Sequence, residues 1–407
     1  MRKEKLITIC AFLMIVLSIF PIYDVYGQTF SVEPVAHLKA GDFGFNCPID
    51  ISNDGSTLAV AMKDESSDID VTIINMSRFK ILGSLEIDVS FNYLGGMSLS
   101  LNPNGTKLAV AAPNYLRIFT VPDLELEIAI DKNSSLQISF LNMSCSNIWP
   151  EDVAWSQNGE FLAVGLNEIG MDKPTVTIYD TNNWTRIVEL SCNSHKVLAL
   201  DYSHDGKMLA CAGDGTVNGI EVLDVWNTSD WTQITTQSLN GLRVNDLAFN
   251  SIGSQLAAGG YGDLIQLWNT NDWSNQSFGG EYSDVTSTVS FSRDGELLLT
   301  DYVFWTVDDL NRWGEFKLAT HGLFSPSHDE VVTVTFDGDL YKWDSSGWSA
   351  AAARGDKPNF KEPKPTITFT LCITLIVIAI AVLIIMVILA IITVLVIKKK
   401  SKGENTF

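Results

Sequence analysis

One short phrase recurs seven times along this chain: a bulky apolar residue, then Ser or Asn, a tight turn, and Leu or Val seven positions after the first residue. The copies start at Ile51, Leu101, Trp155, Tyr202, Phe249, Phe291 and Phe324, and close at Leu58, Leu108, Leu162, Leu209, Leu256, Leu298 and Val331. In five copies the turn is Asp-Gly or Asn-Gly, dipeptides that accept the positive φ angles of hairpin turns. The apolar runs on either side are therefore expected to pair antiparallel, with the first residue and its plus-seven partner facing one core.

Successive copies lie 50, 54, 47, 47, 42 and 33 residues apart, the length of a four-stranded unit rather than of a helical repeat. A lone hairpin of this kind cannot bury its apolar face in water, but units stacked around an axis bury each other's. The expected fold is all-β: a seven-bladed β-propeller of four-stranded antiparallel blades, followed by one C-terminal transmembrane α-helix. The short sixth copy leaves an irregular blade open. Thr29–Leu38 has strand character interrupted by Pro34, as an edge strand tolerates. It is expected to supply the outermost strand of the last blade, next to Leu340–Trp343, and so close the ring.

LAAGGYGDLIQLWNTND (256–272) and VVTVTFDGDLYKWDSSG (331–347) give an inner strand, a turn of the Asp-Gly type and a strand closing in Trp. With these motifs the chain resembles the WD-repeat family of propellers over roughly residues 30–348. The third strand ends in Trp226, Trp268 and Trp343 in copies four, five and seven, and in Phe119 and Tyr179 in copies two and three. No copy has the family's opening Gly-His pair, although His195 and His321 stand near that place, and a propeller of the bacterial and archaeal surface-repeat type stays open. The resemblance implies architecture, not activity.

Tyr179 and Trp184, Trp226 and Trp231, Trp268 and Trp273, and Trp343 and Trp348 each stand five apart around a polar turn. These read as third-to-fourth-strand hairpins, the second Trp opening the outer strand and sealing the blade. The competing reading is a carbohydrate-stacking ladder.

Insertions fall between the second and third strands of copies one, three and four, at 63–70 (KDESSDID), 167–174 (NEIGMDKP) and 213–219 (GDGTVNG), and in the connection 133–150. Propeller geometry places such loops on one face, and loops are where function is grafted onto a rigid scaffold. Asp64, Glu65, Asp68, Asp70, Trp149, Glu151, Asp152 and Asp172 are the candidate binding-face residues. The alternative is a set of solvated loops. Four carboxylates in 63–70 are oxygen ligands suited to a hard cation, but without the ordered spacing of a calcium loop, so no metal site is expected.

Catalytic signatures are missing from the sequence: it has no Gly-x-Ser-x-Gly, no His-Glu-x-x-His, no Walker loop, and only five His. Gly213–Gly219 joins strands and opens no helix, so its glycines read as turn residues rather than a nucleotide loop. The expectation is a non-enzyme without cofactor. A net charge of −21 excludes nucleic acid as a partner, whose phosphates require a basic surface.

The termini assign the compartment. Residues 1–27 carry Arg2, Lys3 and Lys5, an apolar run Leu6–Phe20, and Val25-Tyr26-Gly27 for cleavage, the pattern of a signal peptide; an uncleaved anchor is the competing reading. Residues 28–348 form the ectodomain and 349–365, rich in Ala, Lys and Pro, a stalk that includes Arg354-Gly355-Asp356. Residues 366–397 are uncharged and as a helix reach about 48 Å, beyond the roughly 30 Å of a hydrocarbon core. They are expected to span a membrane, with the basic tail 398–407 cytoplasmic. Basic residues flank both sides, so orientation rests on the signal rather than the positive-inside rule.

Seven sequons, at Asn75, Asn104, Asn133, Asn142, Asn183, Asn227 and Asn275, fit an exported glycoprotein. Cys10 falls in the signal and Cys372 in the span, leaving Cys47, Cys145, Cys192 and Cys211, which allow two disulfides in three connectivities. Cys211 alone reads most simply as a small core residue. The function expected is a cell-membrane, single-pass, extracellular module binding a protein or glycan. The alternatives are a surface hydrolase or lyase with acidic groups in the channel, and a structural surface-layer component.

Overall fold

The computed structural model describes residues 29–40, 48–63, 69–87, 97–112, 115–131, 148–168, 175–194, 196–213, 221–261, 264–279 and 286–361. Seven four-stranded antiparallel sheets follow one another along the chain, so the expected seven-bladed propeller is found. In blade one the strands are Ile49–Ile51, Thr57–Lys63, Ile69–Asn75 and Lys80–Ile87, and blades two to six repeat that order from first to fourth strand.

The seven-residue grammar has a direct structural meaning. Ile51 pairs with Leu58, Leu101 with Leu108, Trp155 with Leu162, Tyr202 with Leu209, Phe249 with Leu256, Phe291 with Leu298 and Phe324 with Val331. Each pair stands directly opposite in the first hairpin, and all fourteen side chains are buried. The Ser or Asn after the first residue holds the turn. Ser203 Oγ donates to Asp205 Oδ1 at 2.8 Å and accepts from the Met208 N–H at 2.9 Å; Asn250 Oδ1 accepts from the Ser254 and Gln255 N–H groups.

In every blade the residue after the third strand donates its N–H to the first turn, as Met76 to Ser56, Val121 to Thr106, Thr181 to Glu160, Thr228 to Lys207, Thr270 to Ser254, Val307 to Glu296 and Ser345 to Asp329. In blades one to six both turns therefore lie at one edge of the sheet, and in blade seven the first turn lies there too. The connections between second and third strands, and from blade to blade, leave from the opposite edge.

The ring closes at the expected place, but with only the second part of the expected segment Thr29–Leu38, since Thr29–Val32 pairs elsewhere. Ala36–Lys39 pairs antiparallel with Asp339–Asp344, Leu38 opposite Leu340, and becomes the outer strand of a seventh blade whose other strands are Ala319–Phe324 and Glu330–Thr335. His37 Nε2 meets Asp339 Oδ1 at 3.0 Å. Buried Lys342 bridges Glu330 and the Met76 carbonyl of blade one. Blade six is complete but short: Val289–Phe291, Leu297–Thr300, Val303–Thr306 and Arg312–Glu315. Its compression lies in a two-residue turn, where Asp301 takes φ 51° and its carboxylate accepts the Ser287 and Thr288 N–H groups.

Three expectations are corrected. Trp184, Trp231 and Trp273 do not open outer strands; each sits in the turn itself with φ of 58°, 59° and 57°, its N–H returned to the carbonyl four residues earlier. Trp348 follows no hairpin, because the fourth position of the last blade is already filled by Ala36–Lys39; it opens a helix, Trp348–Ala353.

The third correction is the stalk. The residues after 348 continue the fold as far as Lys361, for Lys357–Phe360 forms a parallel two-stranded sheet with Thr29–Val32. Phe360 enters an aromatic cluster with Phe316, Trp343 and Trp348, its ring centroid 4.3 Å from that of Phe316. Few apolar residues are needed here because Trp348, Ala351 and Phe360 all meet partners already supplied by blades six and seven. Arg354-Gly355-Asp356 ends the helix: Gly355 takes φ 74°, the Asp356 and Gly355 N–H groups cap Ala351 and Ala352, and Arg354 pairs with Asp356 at 2.9 Å. That is the glycine-stopped helix end in which a left-handed residue lets the last carbonyls be satisfied.

Among the described residues no helix is long and apolar enough to cross a membrane. The expected signal (1–27), span (366–397) and tail (398–407) lie outside those residues.

Candidate functional site

The inner strands of all seven blades line one central cavity of about 690 Å³. Its wall is polar at two heights, set by position relative to the bulky residue of each copy. One residue before it stand Asp50, Asp201 and Ser290; three residues before it stand Ser98, Asp152, Asp246 and His321.

Six of these seven side chains stitch one blade to the next. At the lower height, Asp50 Oδ2 accepts the Leu101 N–H at 2.6 Å, Asp201 Oδ2 the Phe249 N–H at 2.7 Å, and Ser290 Oγ the Phe324 N–H at 3.0 Å. At the other height, Ser98 Oγ accepts the Val153 N–H at 3.4 Å, Asp152 Oδ2 the Leu200 N–H at 2.6 Å, and Asp246 Oδ2 the Val289 N–H at 2.7 Å. Ser98 also donates to Asp152 Oδ1 at 2.5 Å. Inner strands of neighbouring blades form no common sheet, so their facing N–H groups need acceptors. The side chains supply them.

Each carboxylate keeps some contact with the cavity, but protein encloses it on its other sides. Burial pushes Asp50 and Asp152 up to about 7 and Asp201 up to about 8, against the pull of their amide hydrogen bonds. Asp246 is raised in the same way. The charges also raise one another. His321, at the seventh position, is 5% exposed; burial lowers its pKa to about 4, and its Nδ1 makes no hydrogen bond.

The mouth of the cavity on the connection edge is charged. Half-buried Glu151 is raised chiefly by burial, with Asn167 and Lys196 opposing, and the Arg243 guanidinium lies 4.8 Å from the centre of the Tyr261 ring. Tyr261 ends the second strand of blade five and is 45% exposed.

Of the candidate binding-face residues, Glu151 and Asp152 both line the cavity, but only Glu151 is at its mouth; Asp152 belongs to the wall. Asp70 is half-buried in the third strand of blade one. Trp149 lies in the extended inner strand Ile148–Trp155, its backbone opposite Asn167. Asp64, Glu65, Asp68 and Asp172 lie outside the described residues. The expected cluster is thus split, and Asp50, Asp201 and Asp246 were missed. The signal for them was an acid one or three residues before the bulky residue, inside an otherwise apolar strand. No group of His, Cys, Asp and Glu among the described residues has metal-site geometry.

The described sequons share one edge. Asn75, Asn183, Asn227 and Asn275 stand at the third-to-fourth-strand turns and Asn104 in the first turn of blade two, so all five described sequons share the turn edge. Asn104, Asn183 and Asn275 are exposed, whereas Asn75 and Asn227 are half-buried. Asn133 and Asn142 lie outside the described residues.

A family model described as eukaryotic translation initiation factor eIF2A matches residues 128–241. No curated protein matches the chain. Among solved structures, the β-propeller domain of Myceliophteria thermophila Cps50 (Swd1) is similar with a TM-score of 0.57 at 13% identity, covering 76% of this chain and 98% of that one. Kuenenia stuttgartiensis hydrazine synthase is similar with a TM-score of 0.57 at 14% identity, covering 77% of this chain and 98% of its own. Together with the seven blades, the likenesses to solved structures show the fold of a seven-bladed β-propeller.

Proposed function

We propose that this protein is a single-pass, membrane-anchored extracellular propeller that binds a protein or glycan through its connection edge, around the mouth of the central cavity. The observation that carries the reading is the division between edges. All five described sequons stand at the turn edge, while the sequence carries its insertions at 63–70, 167–174 and 213–219, between second and third strands whose facing ends lie at the other edge. Glycans on the turn edge leave the connection edge free for a partner. The N-terminal signal pattern and the uncharged 366–397 support export and tethering, and the WD-repeat-like scaffold is of a kind commonly used for interaction.

The test is topology with capture in intact cells. Full-length protein tagged after Phe407 is expected to shrink with an N-glycosidase and to lose its propeller to external protease while the tag stays protected. Cross-linking at the surface then retrieves the partner. An unglycosylated, protease-inaccessible protein would overturn the reading.

A second reading, a surface hydrolase or lyase, draws on the carboxylates held near neutral pKa in the cavity. Their engagement with backbone N–H groups favours the first reading, since each has a structural partner already.

A further inference from the structure

We propose that Cys192 and Cys211 are a disulfide site, and that the bond staples blade three to blade four. Cys192 directly follows Arg186–Ser191, the outer strand of blade three; Cys211 lies in Met208–Ala212, the second strand of blade four. Both are reduced in this structure, with their Sγ atoms 3.1 Å apart. A disulfide needs about 2.05 Å, so closing the bond takes an approach of only about 1 Å.

The surroundings fit a bond better than two thiols. Cys192 is 0% and Cys211 1% exposed, inside an apolar cluster with Val176, Leu190, Val197 and Trp226. Among the described residues, each thiol finds its sulfur partner in the other. Burial first, and then Cys192 beside it, disfavours the Cys211 thiolate. That makes the folded pair a poor target for exchange, because the thiolate is the attacking species. The bond therefore forms while the blade three to blade four junction is still open and, once enclosed, resists reduction. It also selects, from the three pairings the sequence allows, the one that joins Cys192 to Cys211.

The chemistry is thiol–disulfide exchange. A small-molecule or protein disulfide donor takes the first thiolate into a mixed disulfide, releasing one donor thiol. The second cysteine thiolate displaces the other donor sulfur. Two cysteine thiols lose two protons and two electrons to form one S–S bond, and the donor disulfide becomes two thiols. The proposal rests on the export reading for its oxidant, since such donors prevail in secretory compartments.

The test is a peptide map of the full-length membrane protein, lysed directly into denaturant containing alkylating agent, deglycosylated at Asn227 and digested with trypsin without reductant. The expected result is one species joining 187–196 to 208–243, two hydrogens lighter than the sum of the two peptides and split by reductant. The paired variant Cys192→Ala with Cys211→Ala is expected to melt about 3–6 °C lower, and reductant to move the native protein little until it unfolds. Protein that is surface-exposed and glycosylated yet alkylated at both cysteines would overturn the proposal. If the chain proves not to be exported, chain unfolded and refolded in vitro with glutathione disulfide decides it separately: the same joined peptide supports the site, and separate alkylated peptides contradict it.

Discussion

The Asp201 carboxylate accepts the backbone N–H of Phe249 at 2.7 Å, and the two residues belong to the inner strands of consecutive blades. Phe249 also pairs with Leu256 in its own hairpin. In blades two, five and seven the residue that anchors the blade's core is thus the same residue that its neighbour grips, and the cavity wall is a structural seam.

The seam gives stability a pH dependence. Burial raises Asp50 and Asp152 to about 7 and Asp201 to about 8 when folded, against about 3.9 for an unfolded Asp. Between those values the folded state holds more protons than the unfolded one, so stability falls as pH rises. Melting temperature is expected to drop steadily from pH 5 to pH 8. Replacing Asp50, Asp152 and Asp201 with Asn keeps an amide-oxygen acceptor for the neighbouring N–H and removes the titration, so that variant's profile should be flatter across the same range. A wild-type profile rising with pH would contradict the assignment.

The first turn is held by one hydroxyl. Ser203 is fully buried and bonds both Asp205 and the Met208 N–H. Ser203→Ala leaves that N–H without its acceptor and should cost about 1–2 kcal/mol, read by chemical denaturation. Ile252→Ala, exposed in the corresponding turn of blade five, should cost almost nothing.

The terminal latch is larger. Trp348 is 3% exposed among Phe304, Trp313 and Phe360, and Trp348→Ala should cost about 3–5 kcal/mol. Phe360→Ala, at a half-buried site, should cost less, about 1–3 kcal/mol. Either variant is expected to speed proteolysis near 354–361. An unchanged melting temperature in both would place these residues outside the cooperative unit.

Glycan occupancy should follow exposure. Glycopeptide mass spectrometry is expected to find Asn104, Asn183 and Asn275 more fully modified than half-buried Asn75 and Asn227. The reverse order would contradict it.

What the sequence showed followed from locality. The plus-seven pairs lie within one hairpin, so turn chemistry and apolar spacing sufficed to place all seven. Ring closure was legible in part, because a propeller needs a final strand and Thr29–Leu38 was the spare segment; that only Ala36–Lys39 closes the ring while Thr29–Val32 pairs with Lys357–Phe360 was not. The latch was hidden because its pairing partners stand at opposite ends of the chain, as Lys361 and Glu33 do, 328 positions apart, and because an Ala, Lys and Pro-rich composition has no periodicity to read. The carboxylate seam was hidden for another reason. Asp50 and Asp201 look like ordinary polar residues in a strand until the neighbouring blade brings an N–H to them.

Capture with two variants of the full-length protein tests the central claim most directly. One variant shortens 64–68 and 169–174 at the connection edge; the other carries Asn183→Gln and Asn275→Gln at the turn edge. Surface cross-linking is expected to retrieve the partner with the native protein and the turn-edge variant, and to lose it with the connection-edge variant. Retention by the connection-edge variant, with loss from the turn-edge variant, would contradict it.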